Sequence, residues 1–270
     1  MPHNTSSTAS VNGAEINIAH LAVIDCARLA SKEPGEIEKL VEAARSPGVF
    51  YLDCGSNKKY LANVQTMCAM ADKYFDQPHE VKMKDYRESE DRGYKFGGLD
   101  STFEIARDEL VQKTLVLPAV FANDAEHFEQ FTTMSHEIAH TMLAILSEEL
   151  NIAFGESNRD DKPSDTGLKL ATSPLRESLS DITENKHTDS GTLTIQFCEQ
   201  WGTQLQMPDG KWAFVQARDG CALVNVADSL QRLSGEKLHS CLHRVTQPAD
   251  GKEKRVFVLY FLRPEKGGCA

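Results

Sequence analysis

The stretch HTDSGTLTIQF, residues 187–197, opens with His187 and Asp189 two positions apart at the head of a β-prone run. Side chains at i and i+2 leave a strand on the same face, so this imidazole and carboxylate can grip one metal ion together. A third ligand is available in LHSCLHRVT, residues 238–246, where His243 lies 54 residues beyond Asp189, about the separation that brings a later barrel strand beside an earlier one. Two imidazoles and one carboxylate form a facial set that leaves neighbouring coordination positions open, which suits Fe(II) and does not suit a closed structural zinc site. Arg255, twelve residues after His243, opens the strand RVFVLYFL and offers a guanidinium fork for a carboxylate held near the metal.

Around this stretch the texture is that of short strands. TLTIQF, TQLQMPDGKWAFVQ, CALVNV, LHSCLHRVT and KRVFVLYFL are separated by turn signals, which predicts an antiparallel barrel or jelly roll from about residue 166 to 265. Asp209-Gly210 marks a hairpin, because both residues tolerate positive φ.

Upstream, over 16–165, helix and strand alternate. INIAHLAVID reads as a strand, 35–46 as a helix and GVFYLD as a strand; Asn57 or Ser56 caps a helix with apolar Leu61, Val64, Met67, Cys68, Ala71 and Phe75, ended by Pro78. KMKDYRESEDRGYKFGGLDSTFE, residues 82–104, reads as a loop, and its Tyr94, Phe96 and Phe103 are candidates for a pocket wall, as are Phe197, Phe214 and Phe261 on the later strands. Residues 1–15, rich in Ser, Thr and Asn, are expected to form a mobile tail, with structure beginning near Ile16.

The longest helix is expected over about 124–150. It carries His136, Glu137 and His140 in the spacing H-E-x-x-H, which in zinc peptidases sets two imidazoles one turn apart. The two histidines point away from the apolar stripe of Phe131, Met134, Ile138, Met142 and Ile145, and no third ligand is evident in sequence. A solvated helix face is therefore the expectation.

Composition narrows the function classes. Among 270 residues, 40 Asp and Glu against 29 Lys and Arg give a net charge of −11, which argues against nucleic acid as a partner. Seven cysteines with no C-x-x-C pair suggest neither a disulfide framework nor a thiolate zinc site. No run reaches the length of a membrane span, and no basic and apolar leader precedes residue 15, so a cytoplasmic protein, monomeric or weakly oligomeric, is expected.

The sequence resembles the 2-oxoglutarate and Fe(II) dependent dioxygenase superfamily, in the group related to isopenicillin N synthase and the plant and fungal small-molecule oxygenases. HTDSGTLTIQF, GTQLQMPDGKWAFV, LVNVADSLQRLSGEKLHSCLHRV and RVFVLYFLRP follow the core of that group in order, and VIDCARLA, EIEKLVEAARSPGVFYL, ADKYFDQPHEVKMK and RGYKFGG resemble its leading region. The resemblance implies a mainly β protein with flanking helices around a double-stranded β-helix, or jelly roll, and a single oxygenase domain over 16–270. It implies that His187, Asp189 and His243 bind Fe(II), that Arg255 pairs with 2-oxoglutarate, and that O2 is consumed in oxidising a small-molecule substrate of secondary metabolism. Hydroxylation, desaturation and ring rearrangement all remain open.

Four departures from the family pattern bear on this. The usual R-x-S reads Arg255-Val256-Phe257, so a serine hydroxyl is missing; Ser173 precedes Pro174 where a tyrosine is common; Ala227 replaces a glycine; and six residues follow Pro264, so a more open pocket is expected. An iron enzyme that does not use 2-oxoglutarate, or a non-redox binding or cyclase descendant of the fold, are the alternative readings.

Overall fold

The computed structural model describes residues 6–11, 14–88, 92–97, 100–173, 185–246 and 254–267. Its strands are β1 (Ser6–Val11), β2 (Ala14–Ala19), β3 (Val23–Asp25), β4 (Val49–Asp53), β5 (Gly93–Gly97), β6 (Asp100–Ala106), β7 (Gly167–Ser173), β8 (Leu193–Phe197), β9 (Thr203–Gln206), β10 (Trp212–Phe214), β11 (Cys221–Val226), β12 (His243–Val245) and β13 (Arg255–Leu262). Helices α1 (Cys26–Ala30), α2 (Pro34–Arg45), α3 (Lys58–Phe75), α4 (His79–Lys82), α5 (Arg107–Val111), α6 (Ala125–Leu150) and α7 (Asp228–Leu233) complete it.

The strands make an eight-stranded sheet, ordered β3-β4-β11-β8-β13-β7-β6-β5, and a five-stranded sheet, ordered β1-β2-β10-β9-β12. These are the two sheets of a jelly roll, as expected, but they are not confined to 166–265: β1 to β6 join them from the leading region, and β3–β4 and β2–β10 pair parallel. Val49, Tyr51 and Leu223 from the large sheet pack with Leu205, Met207 and Ala213 from the small one, closing one end of the sandwich. The outer face of the large sheet is covered by α3 and α6, where Tyr60, Met67, Phe128, Phe131 and Leu146 meet Leu168, Leu170, Ile195 and Val258 in one buried cluster. Each such side chain contributes about 1.5–3 kcal/mol by leaving water.

Local signals explain the helix limits. Asn57 Oδ1 accepts from Tyr60 N at the start of α3, Pro34 occupies the first turn of α2, and α6 stops at Asn151 in the left-handed conformation (φ +53°).

Three further expectations change. Strand pairing begins at Ser6, not near Ile16: β1 pairs antiparallel with β2 from Ser6↔Ala19 to Val11↔Ala14. The alternation of Thr8 and Ser10 with apolar neighbours, and the Asn12-Gly13 dipeptide that follows, are hairpin signals that the polar composition hid; residues 1–5 lie outside the described residues. The segment expected as a loop over 82–104 contains β5 and β6, paired from Gly93↔Glu104 to Gly97↔Asp100, because Tyr94, Phe96, Thr102 and Phe103 favour strand despite the glycines between them. The Asp209-Gly210 hairpin joins β9 to β10 as expected, but only Gly210 takes positive φ (+81°).

Candidate active site

The isolated bridge between His187 and His243 carries the site. Each backbone N–H donates to the other residue's carbonyl at 2.9 Å, which places the two imidazole rings 4.4 Å apart. Asp189 follows, with its Oδ1 3.8 Å from the Nε2 of His187 and 3.8 Å from the Nε2 of His243. All three ligand atoms lie within 4.8 Å of one another.

The remaining polar atoms of these side chains are already engaged. His187 Nδ1 donates to the Asn185 carbonyl at 2.8 Å, and His243 Nδ1 donates to the Cys241 carbonyl at 3.1 Å. These bonds fix the tautomer that leaves each Nε2 lone pair toward the centre. Asp189 Oδ2 accepts from Thr194 Oγ1 and from Asn225 Nδ2 at 2.9 Å, so Oδ1 alone faces the imidazoles. Burial by itself raises the Asp189 carboxyl; His243, the bonds from Thr194 and Asn225, and His187 together outweigh it, and the group sits below the usual carboxylate range. Burial lowers His243, so its imidazole is held neutral, as a metal ligand must be. Two neutral nitrogens and one carboxylate oxygen, convergent and otherwise unclaimed, fit a divalent iron with open positions.

A cavity of about 360 Å³ adjoins these atoms, a size suited to small ligands. The large sheet supplies its wall through strand alternation: Phe257, Leu259, Phe261 and Arg263 follow one parity from β13, and Lys169, Ala171 and Ser173 follow one from β7. In the register, Leu259 opposes Lys169, Phe257 opposes Ala171 and Arg255 opposes Ser173. Arg255 is buried at 1% exposure; it donates to the Thr246 carbonyl and, from Nη2, to Ser173 Oγ at 3.1 Å. Ser173 in turn donates to Asp100 at 2.7 Å. Buried Glu104 bridges the lining residues Lys169 at 2.8 Å and Arg263 at 2.6 Å, and both cations lie over the Phe261 ring, at 5.0 and 4.5 Å.

Of the six aromatic candidates only Phe261 lines this cavity. Tyr94 and Phe103 are core, packed around Tyr74; Phe96 is 55% exposed; Phe197 packs on Tyr60 and Phe214 on Trp201. Sequence reading missed Lys169, Ser173, Phe257 and Arg263 as wall residues. The period-two pattern running from Arg255 through Arg263 was the signal for half of them. Ala227 keeps negative φ (−115°), so its replacement of a glycine leaves the turn unstrained. Pro174 and residues 268–270 lie outside the described residues.

The H-E-x-x-H helix face is not solvated. His136 is 8% exposed, its Nδ1 is 2.6 Å from the Tyr260 hydroxyl and its Nε2 is 2.6 Å from Asp160 Oδ1. Burial, with Arg107 and His140 adding to it, pushes His136 down to about 4 despite Asp160. The polar face of α6 is covered by β13 and by the irregular segment carrying Asp160, a tertiary contact that helical periodicity cannot reveal. Glu137 alone of the motif is exposed.

Comparison with known proteins agrees with the fold and with iron and 2-oxoglutarate as cofactors. The family model of the 2OG-Fe(II) oxygenase superfamily matches residues 169–264, and that of the non-haem dioxygenase in morphine synthesis N-terminal region matches residues 21–110. The 2-oxoglutarate-dependent dioxygenase frbH of Dothideomycetidae sp. (strain 11243) is 34% identical over 270 residues, covering 93% of this chain and 84% of that protein. Oxidoreductase vrtI of Penicillium aethiopicum is 35% identical over 265 residues, covering 91% of this chain and 64% of that longer protein. A full-length Neurospora crassa protein, solved in complex with alpha-KG and thymine, superposes with a TM-score of 0.78 at 20% identity, over 95% of this chain and 88% of that one. The chain belongs to the 2-oxoglutarate- and Fe(II)-dependent oxygenase family.

Proposed function

We propose that His187, Asp189 and His243 hold the Fe(II) of this oxygenase, that Arg255 with Ser173 holds the distal carboxylate of 2-oxoglutarate, and that a small organic substrate occupies the cavity beside Phe261. The observation that carries this reading is the convergence of His187 Nε2, His243 Nε2 and Asp189 Oδ1 at the cavity wall, with every other polar atom of the three side chains tied off.

When bound, the iron with 2-oxoglutarate and O2 supplies the oxidising power for attack on a substrate C–H bond. The chain's own residues do the placing. Thr194 and Asn225 keep Asp189 from rotating, and the Asn185 and Cys241 carbonyls keep the imidazoles aimed. Arg255 is buried, so its charge is weakly screened and its fork favours a carboxylate. Phe257, Leu259 and Phe261 exclude water from the wall. Lys169 and Arg263 line the cavity and outnumber their shared partner Glu104, which supports a substrate with an acceptor or anionic group beside them. Similarity to fungal dioxygenases supports a place in specialised metabolism.

The test is an anaerobic titration of 2-oxoglutarate into the Fe(II)-loaded protein, following the visible metal-to-ligand charge-transfer band, with Arg255→Ala and Asp189→Ala alongside. A saturable band, weakened in Arg255→Ala and lost with the metal in Asp189→Ala, is expected. Undiminished iron binding in Asp189→Ala, or an unchanged titration midpoint in Arg255→Ala, overturns the respective assignment.

A further inference from the structure

Twenty-four residues after His136 in sequence, Asp160 supplies what the H-E-x-x-H helix lacked. Its Oδ1 lies 2.6 Å from His136 Nε2 and 3.9 Å from His140 Nε2, and the three ligand atoms fall within 4.8 Å of one another. The rings of His136 and His140 are 4.3 Å apart, one helical turn along α6. His140 Nε2 is buried and makes no hydrogen bond among the described residues. A buried imidazole nitrogen aimed at a second imidazole and a carboxylate, with nothing on it, is an incompletely satisfied polar group.

We propose that His136, His140 and Asp160 form a second divalent-cation site, of the Zn(II) class, separate from the His187, Asp189 and His243 centre. Two imidazoles and a carboxylate are a common zinc donor set, completed by water in the fourth position. Tetrahedral bonds of about 2.0–2.1 Å put the donor atoms about 3.3 Å apart. Asp160 must back away from His136 by less than about 1 Å to reach that spacing, and it is free to do so, being 59% exposed on an irregular segment. His136 is already oriented from behind: with the cation on Nε2, its Nδ1–H donates to the Tyr260 hydroxyl 2.6 Å away, the outer bond that metal-bound histidines make. Arg107 Nη1, 3.5 Å from Asp160 Oδ1, remains as the carboxylate's second partner.

The placement argues for a structural ion. Glu137, the general base of zinc peptidases with this motif, is exposed while His136 is buried against Tyr260, so a hydrolytic role is not proposed for it. A cation here clamps α6 to β13 through Tyr260 and to the segment leading into β7. Those two strands carry Arg255, Phe257, Lys169 and Ser173, so the clamp stiffens the cavity wall from outside.

The proposal does not depend on the iron assignment, and metal stoichiometry separates the two. Metal-free full-length protein is titrated with Zn(II), and with Co(II) read by its visible d–d bands, in the wild type and in Asp189→Ala, His140→Ala and Asp160→Asn variants. The wild type should take up two equivalents and each of Asp189→Ala and His140→Ala one, with the tetrahedral Co(II) bands absent from His140→Ala. Asp160→Asn, at an exposed position that leaves packing intact, should weaken the same equivalent at least tenfold, which guards against misfolding of the His140 variant. A wild type that binds one equivalent, lost in Asp189→Ala and kept in His140→Ala and Asp160→Asn, overturns the second site and leaves the first standing. One equivalent lost only in His140→Ala does the reverse.

Discussion

Ser173 and Arg255 oppose each other across β7 and β13, and the guanidinium donates to the serine hydroxyl at 3.1 Å. The family's R-x-S pattern puts its serine two residues after the arginine, where this chain has Phe257. A hydroxyl is therefore present beside the guanidinium, brought from the neighbouring strand. If it shares the distal carboxylate of 2-oxoglutarate, Ser173→Ala removes a hydrogen bond to a charged group, worth about 1.5–3 kcal/mol. The Kd for 2-oxoglutarate should rise roughly 10- to 100-fold, read from the charge-transfer midpoint, with iron content unchanged. An unmoved midpoint would show that the hydroxyl serves only Asp100.

Thr194 and Asn225 are not among the three candidate ligands, yet both hold Asp189 Oδ2. They sit opposite each other on β8 and β11, so the carboxylate is anchored by two strands at once. Thr194→Val and Asn225→Ala should each reduce Fe(II) affinity about 10- to 100-fold, the usual cost of losing such a partner. Competition with a chelator measures this directly. Retention of full affinity in both variants would mean that the backbone alone fixes Asp189.

What could be read from sequence followed the range of the forces involved. Strand texture in HTDSGTLTIQF, LHSCLHRVT and RVFVLYFL is local, and it carried the expectation of a jelly roll and of His187, Asp189, His243 and Arg255 as site candidates. The position of Asn57 before a helical apolar stripe likewise set the start of α3. The fate of His136 was decided by Tyr260 and Asp160, respectively 124 and 24 residues away, and no local pattern carries that information. Aromatic residues misled for a similar reason: Tyr94 and Phe103 have the composition of a pocket wall, but their strands turn those rings toward Tyr74 under α3. Lys169, which does line the cavity, is a charged side chain on a buried strand, and only the opposing strand register shows what it faces.

Several buried thiols and phenols make the fold sensitive to alkali. Burial pushes Cys68 and Cys198 up to about 12, Cys241 up to about 11 and Tyr51 up to about 12. In the unfolded chain thiols lose their protons near 8.5 and tyrosine near 10. Above those values the unfolded state binds fewer protons than the folded state, so stability falls as pH rises. It is fully present below about pH 8 and declines through pH 9–11, by about 2 kcal/mol per buried thiol at pH 10. Thermal melts should show a flat Tm from pH 7 to 8 and a steady fall beyond. Cys198→Ala should make that fall shallower; equal slopes for wild type and variant would contradict the assignment.

Phe257 fits because residue 202 is glycine. A Cβ on Gly202 would stand 2.7 Å from Cζ and 2.8 Å from Cε1 of the Phe257 ring, and 3.3 Å from Cys198 Sγ. Phe257 is itself 3% exposed and lines the cavity from β13, so a ring pushed off a new methyl toward the cavity would encroach on its volume. Gly202→Ala should destabilise the protein by about 1–3 kcal/mol, the range for overpacking, and narrow the cavity, weakening 2-oxoglutarate. Phe257→Ser alone should cost about 3–5 kcal/mol through the void it leaves. In the Phe257→Ser background, however, the alanine methyl at position 202 meets no ring, so its cost should fall close to zero. Urea unfolding of the two single variants and the double variant gives the coupling energy directly. Strict additivity would mean that the glycine serves the backbone of the turn before β9 and not the phenyl ring beside the cavity.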